Sequence, residues 1–248
     1  MTGKLDIFND EPSLFHAAAN TFVALAEASI AERGRFTVAL SGGSTPKALY
    51  QLLASEAYRG RVAWEKVDWF FGDERSVGPD DPESNYRMAR EAILAPVGAP
   101  PERVHRIRGE HDRPAEAAAA YAAQLAKVFG TSETGPPPQI DLVLLGMGND
   151  GHTASLFPFT QALHERRKWV VANDVPQLHT RRYTLTYPII NAAGCVLFLI
   201  TGVGKAKVLQ EVLEGPPEPE RLPSQAVAPA AGRLLWYVDR AAASRLES

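Results

Sequence analysis

The chain predicts an α/β fold, a mostly parallel sheet covered by helices on both faces, in a single domain over residues 1–248. Three observations predict it. Apolar runs of strand length recur at 36–40, 67–71, 140–145, 196–200 and 234–238, and runs without in-and-out alternation mark strands buried on both faces. Segments with helical spacing separate them, which is the βα alternation of a parallel sheet. The linker-like stretches 131–139 (TSETGPPPQ) and 214–223 (EGPPEPERLP) each lie between elements of the same pattern, so they read as surface loops.

In chain order, the first helix is expected at 12–32, opened by Pro12. After the strand 36–40, Thr45 is the expected cap of a helix at 46–54, with Pro46 in its first position. Ser84 caps 84–94. Pro114 opens 114–129, where Ala favours helix and Tyr121, Leu125 and Val128 supply an apolar face. The last helix is expected at 205–213.

With 248 residues the chain has ample core. Its formal net charge of -3 and scattered basic residues argue against nucleic acid, so an anion site must be a local pocket. The single Cys195 sits in an apolar run, which reads as a buried inert thiol and excludes a disulfide framework. The start, MTGKLDIFNDEP, lacks a signal-peptide core, and no apolar stretch is expected to span a membrane. The expectation is a cytoplasmic monomer with no membrane or nucleic-acid partner.

Three loops carry the chemistry. IDLVLLGMGNDGHTASLFP (140–158) places His152 in a Gly-rich turn after a buried strand, where open α/β sheets bind ligands. The alternative is a plain turn with a polar flank. Ser41-Gly-Gly-Ser-Thr-Pro46 joins a strand to a helix, and its backbone N–H groups suit a phosphate; GxxxxGK[ST] spacing is missing, so a nucleoside triphosphate is not implied. It also reads as an ordinary strand-to-helix turn. Asp73-Glu74-Arg75 follows the strand at 67–71, as site charges or as solvated surface pairs. Three such loops reaching one sheet edge favour a site.

Gly146-Met-Gly-Asn-Asp-Gly151 satisfies GxGxxG, with Asp174 about 20 residues on, as a dinucleotide fingerprint requires. The following residues contain Pro158 and lack an apolar stripe, so the helix that a dinucleotide site needs is not expected.

SGGSTPKALY, DWFFGDERSVGPDDPESNY and DLVLLGMGNDGHTASLFP together resemble the 6-phosphogluconolactonase family. The resemblance continues through Arg182-Tyr-Thr-Leu-Thr186, similar to its RxTLT segment, and Gly202-Val-Gly-Lys205, similar to its GxxK turn. It implies a modified Rossmann-like three-layer α/β/α sandwich and hydrolysis of 6-phosphogluconolactone. Glucosamine-6-phosphate deaminases and isomerases share that fold and a DGH loop, but have DEY where this chain has Asp73-Glu74-Arg75. A non-catalytic sugar-phosphate sensor is the remaining alternative.

Hydrolysis of a ring ester needs a base for water, stabilisation of the oxyanion and an anchor for the phosphate. Histidine titrates near neutrality, which suits His152 to the base role. Asp150 either orients His152 or only stabilises the turn. Asp73 and Arg75 are expected to position the sugar and balance developing charge. Gly42, Gly43, Ser44 and Thr45, with Arg182 and Lys205, form the expected phosphate cradle. Alone, Lys205 reads as a solvated helix-start lysine and Arg182 as a strand-edge charge. Which of Arg181 and Arg182 faces the phosphate is open. His16, His105, His111, His164 and His179 read as surface or packing residues, with His179 the first exception to consider. No HExxH, cysteine pair or histidine cluster is present, so no metal and no cofactor are expected.

Overall fold

In the computed structural model, which describes residues 3–247, six strands form one fully parallel sheet. Chain order is β1 (Lys4–Phe8), α1 (Glu11–Arg33), β2 (Phe36–Leu40), α2 (Ser44–Leu53), β3 (Val67–Phe71), β4 (Asp73–Arg75), α3 (Asn85–Ala89), α4 (Pro114–Phe129), β5 (Leu142–Leu145), β6 (Val170–Val175), β7 (Thr180–Leu185), α5 (Tyr187–Ile190), β8 (Cys195–Ile200), α6 (Ala206–Leu213) and β9 (Arg233–Asp239). The parallel sheet runs β1-β9-β8-β5-β2-β3. Strands β2, β3, β5 and β8 are buried along their whole length, which is why they read as continuous apolar runs. Met1, Thr2 and Ser248, the ends of the expected domain, lie outside the described residues.

A second sheet, antiparallel in the order β4-β7-β6, was not expected from the sequence. Its strands carry polar residues inward: Asn173 is 1% exposed and donates to the Ser155 carbonyl at 2.9 Å and the Thr160 hydroxyl at 3.0 Å. Buried polar groups satisfied in this way hide a strand from an apolarity pattern. Edge strand β1 was missed because its residues are mostly exposed.

Helix α1 is capped by the Asp10 carboxylate, which accepts from Ser13 N–H at 2.8 Å, and it ends at Gly34 in the left-handed region (φ 74°). Against the sequence expectation, α1 is long and apolar enough to cross a membrane. Its Ala-rich composition causes this, and its apolar face, with Leu14, Phe22 and Val23, belongs to the core. Helix α2 corrects a second expectation: it opens at Ser44 after Gly43 (φ 107°), and no side chain caps it, so Thr45 is not its cap. Instead Thr45 and Thr201 share a hydroxyl hydrogen bond of 3.0 Å, tying the β2 loop to the end of β8. The expected helix 84–94 is five α-helical residues continued by a π-helical turn, Arg90–Leu94. Lys205 closes a 3-10 turn just before α6.

Candidate active site

The loops that follow β2, β3, β5 and β8 meet at the carboxyl edge of the parallel sheet. The chain runs outward from β2 to β3 on one side, while β5 lies on the other side of β2. This reversal of strand order opens the crevice where α/β sheets bind ligands. A cleft of about 290 Å³ lies there, lined by residues 41–46 and by Asp73, Arg75, Gly148, His152 and Lys205 among others.

His152 is fixed by its own loop. Its Nδ1 lies 2.6 Å from Asp150 Oδ1, which also accepts the His152 backbone N–H at 3.1 Å. The ring stacks on Phe157 with centroids 4.0 Å apart. Burial alone would push the Asp150 carboxyl up, but the hydrogen bond and charge of His152 and the backbone N–H outweigh it, so Asp150 titrates below the ordinary carboxylate range. A carboxylate accepts only, so His152 donates to Asp150 from Nδ1, and Nε2 is the ring nitrogen that Asp150 does not engage.

The backbone of the loop is pinned from several sides. Gly148 N–H donates to the His152 carbonyl at 2.8 Å, Thr153 Oγ1 donates to the Gly146 carbonyl at 2.8 Å, and Ser224 Oγ donates to the Gly151 carbonyl at 2.8 Å. Gly148 is required for a steric reason: a Cβ there would overlap His152 Nδ1 and lie 2.5 Å from Asp150 Oδ1. Gly148→Ala is expected to displace the imidazole and to lower by about 10²-fold the kcat of any reaction that uses it. An unchanged circular dichroism spectrum with lowered kcat checks it. Near-wild-type kcat would show that the position of the imidazole is not limiting.

Strand alternation sorts the charges of β4. Asp73 and Arg75 line the cleft. Glu74 accepts from the backbone N–H groups of Arg75, Asn85 and Tyr86 and from Ser84 Oγ, at 2.7–3.1 Å. It holds the 75–86 loop together and is absent from the cleft wall. Burial pushes its carboxyl up despite these bonds. Asp73 Oδ2 accepts from Ser155 Oγ at 2.7 Å and Oδ1 from Asn85 Nδ2 at 3.1 Å.

Lys205 reaches the cleft half-buried, and burial lowers its pKa against the opposing charge of Asp150. Residues 42–45 present the start of α2 to the same space. Arg182 is not in the cleft wall. It is the register partner of Arg75 across β4 and β7, with Nη1 3.3 Å from Thr180 Oγ1. Burial and the Arg75 charge lower its pKa. Its neighbour Arg181 pairs with Asp174 at 2.6 Å, so Arg181 is engaged away from Arg75 and Asp174 is used up in an ion pair.

Sequence reasoning missed Asn85, Ser155 and Ser41. Asn85 and Ser155 hold Asp73 from 12 and 82 residues away, and only the SNY and GHTAS segments marked them. Residues 152–160 contain no helix, which removes the dinucleotide reading of the GxGxxG match. His179 is exposed at the start of β7 with φ 49°, and His105 is buried against Phe70 and Asp68. The Cys195 thiol is buried, which pushes its pKa up. Among the described residues no three His, Cys, Asp or Glu side chains gather as metal ligands.

A parallel sheet with a His–Asp pair, a helix N-terminus and a lysine at one crevice defines an α/β enzyme for a small anionic substrate. The chain belongs to the family of glucosamine-6-phosphate isomerases/6-phosphogluconolactonase, whose model matches residues 9–236. It is 39% identical to a 6-phosphogluconolactonase of Nostoc sp., over 99% of both chains, and 38% identical to that of Mycobacterium tuberculosis over the full length of both. The 6-phosphogluconolactonase structure from Trypanosoma cruzi superposes with a TM-score of 0.85 at 31% identity, covering 100% of this chain and 98% of that one. A monomeric glucosamine-6-phosphate deaminase shares the fold alone, with a TM-score of 0.81 at 22% identity.

Proposed function

We propose that this protein hydrolyses 6-phospho-D-glucono-1,5-lactone to 6-phosphogluconate, as a monomer and without a metal, with His152 as general base. The observation that carries the reading is the His152–Asp150 pair of 2.6 Å at a cleft that also holds Lys205 and the start of α2. Relatives of similar length bearing the lactonase name support the substrate.

In this mechanism Nε2 takes a proton from water, and the hydroxide adds to the lactone carbonyl. Arg75 balances the negative charge that develops on the carbonyl oxygen. The ring C–O bond then breaks, and the imidazolium returns its proton to the leaving ring oxygen. Asp73, held by Asn85 and Ser155, positions the sugar. Gly42, Gly43, Ser44, Thr45 and Lys205 receive the phosphate.

Freshly generated lactone should release acid faster than the spontaneous rate, and glucosamine 6-phosphate should release no ammonia. The reverse pattern would overturn the assignment. Exhaustive dialysis against EDTA should leave the rate unchanged; loss restored by Zn²⁺ or Mg²⁺ would refute the metal-free mechanism.

The Asp150 shift has a pH consequence. Its folded pKa is depressed, so its contribution to stability is present above the unfolded value near 4 and is lost as pH falls through the folded one. Asp150→Asn should therefore have a lower Tm than wild type at pH 6, and the gap should shrink below about pH 4. A gap independent of pH would show that the ionised carboxylate is not what stabilises the loop.

A further inference from the structure

Successive residues of α3 line different spaces. Asn85 is in the wall of the active-site cleft, whereas Tyr86 is in the wall of a recess of about 440 Å³ that shares no residue with that cleft. A second recess of about 410 Å³ adjoins the first, with Arg106, Arg108 and Gln124 in both walls. Each has the size of a small-molecule site.

The two ends of this space differ in character. Leu94, Ala95, Ala99, Pro101 and Val104 give the first recess an apolar wall. The π-helical turn Arg90–Leu94 contributes to it, and such turns are rare and frequent at functional sites. The second recess is cationic, with His111 and Lys127 added to the two shared arginines. Among the described residues no carboxylate lines either recess, in a chain whose 29 acidic residues outnumber its 26 basic ones. Asp80 pairs with Arg90 at 2.8 Å, and Glu110 with Arg106 at 2.7 and 2.9 Å, without entering the walls. The guanidinium carbons of Arg90 and Arg106 each lie 5.8 Å from the Tyr86 ring centroid, so these ion pairs leave both charges beside the ring. Arg108 is exposed and has no ion-pair partner among the described residues.

We propose that the adjoining recesses form a second ligand site, one for a nucleoside polyphosphate, with the base in the apolar end and the phosphates along Arg106, Arg108 and Lys127. A recess walled by one sign of charge concentrates ions of the other, so the ligand is an anion. The apolar end then sets its class. Phosphate alone leaves the Leu94 and Val104 wall uncovered, and an uncharged aromatic leaves the arginines unused; a planar base joined to a chain of phosphates meets both. Guanidinium serves either part, because it stacks on aromatic faces and its fork matches phosphate oxygens. The site is independent of whether the cleft hydrolyses a lactone.

The test is calorimetric titration of the full chain with ATP, adenosine and inorganic tripolyphosphate, without Mg²⁺. ATP should bind about tenfold or more tighter than either fragment. Arg108→Glu should weaken ATP about tenfold or more, the scale of a lost charge-assisted contact, with Tm unchanged because the side chain is exposed. Lys127→Glu, also exposed on α4, should act in the same direction and decides the matter where Arg108→Glu is unstable. Lys205→Ala should bind ATP as wild type does, since Lys205 belongs to the cleft and to neither recess. Tripolyphosphate binding as tightly as ATP would reduce the site to a general polyanion trough and overturn the proposal. So would ATP binding that is lost in Lys205→Ala but kept in Arg108→Glu and Lys127→Glu, which would put the nucleotide in the cleft. Absence of ATP binding at millimolar concentration would overturn it outright.

Discussion

His152→Ala is expected to lower kcat on 6-phosphogluconolactone by about 10²-fold or more, with KM little changed, because general-base assistance typically contributes 10² to 10⁴. The size follows from what remains. The variant keeps Arg75, Asp73, Lys205 and residues 42–45 in the cleft wall, so in the proposed mechanism charge stabilisation and binding persist while water must attack unassisted. The imidazole makes its 2.6 Å bond within its own loop and stacks on Phe157. The loop backbone is pinned independently through Gly146, Gly148 and Gly151. Truncation therefore removes the imidazole without dismantling its surroundings. Binding of 6-phosphogluconate should survive, which separates the enzyme from a sensor that needs only the ligand. A variant with near-wild-type kcat would remove His152 from the mechanism and leave water activation without a residue.

The elements whose boundaries were legible are those where local and tertiary demands agree. Strands β2 and β3 fall on the expected residues because both faces of each are buried, so every position had to be apolar or internally bonded. Helix α4 matches at both ends because Pro114 opens it and Gly130, at φ 64°, closes it. Strands β6 and β7 were illegible because their burial is met by polar side chains such as Asn173 and Thr184, whose partners lie in other segments. The site divides in the same way. His152, Asp150, Asp73, Arg75 and Lys205 stand beside glycines or at strand ends, and the alternation of β4 then separates Asp73 and Arg75 from Glu74. The support of Asp73 by Ser155 is a contact across 82 residues, which no local pattern encodes. The resemblance puts Arg182 with the phosphate, whereas in the structure it lies beside Arg75 and outside the cleft wall.

Lys205→Ala is expected to weaken binding of 6-phosphogluconate by about 1.5–3 kcal/mol, the scale of a hydrogen bond to a charged group, or roughly ten- to a hundredfold in Kd. Burial makes the ammonium costly in the free protein, as its lowered pKa shows, and no carboxylate forms an ion pair with it among the described residues. A phosphate dianion placed against it and the N–H groups at the start of α2 offsets that cost. The same argument predicts selectivity. Glucono-δ-lactone lacks the phosphate, so its slower turnover should be far less affected by the substitution. Arg182→Ala provides the comparison, because that side chain must leave Thr180 to reach the ligand. A loss in Lys205→Ala alone would place the phosphate between the starts of α2 and α6, and a comparable loss in Arg182→Ala would show that the β7 cation swings in on binding. Equal losses on the phosphorylated and unphosphorylated lactones in Lys205→Ala would mean that the lysine acts on the reacting ring or on folding, and that the phosphate is held elsewhere.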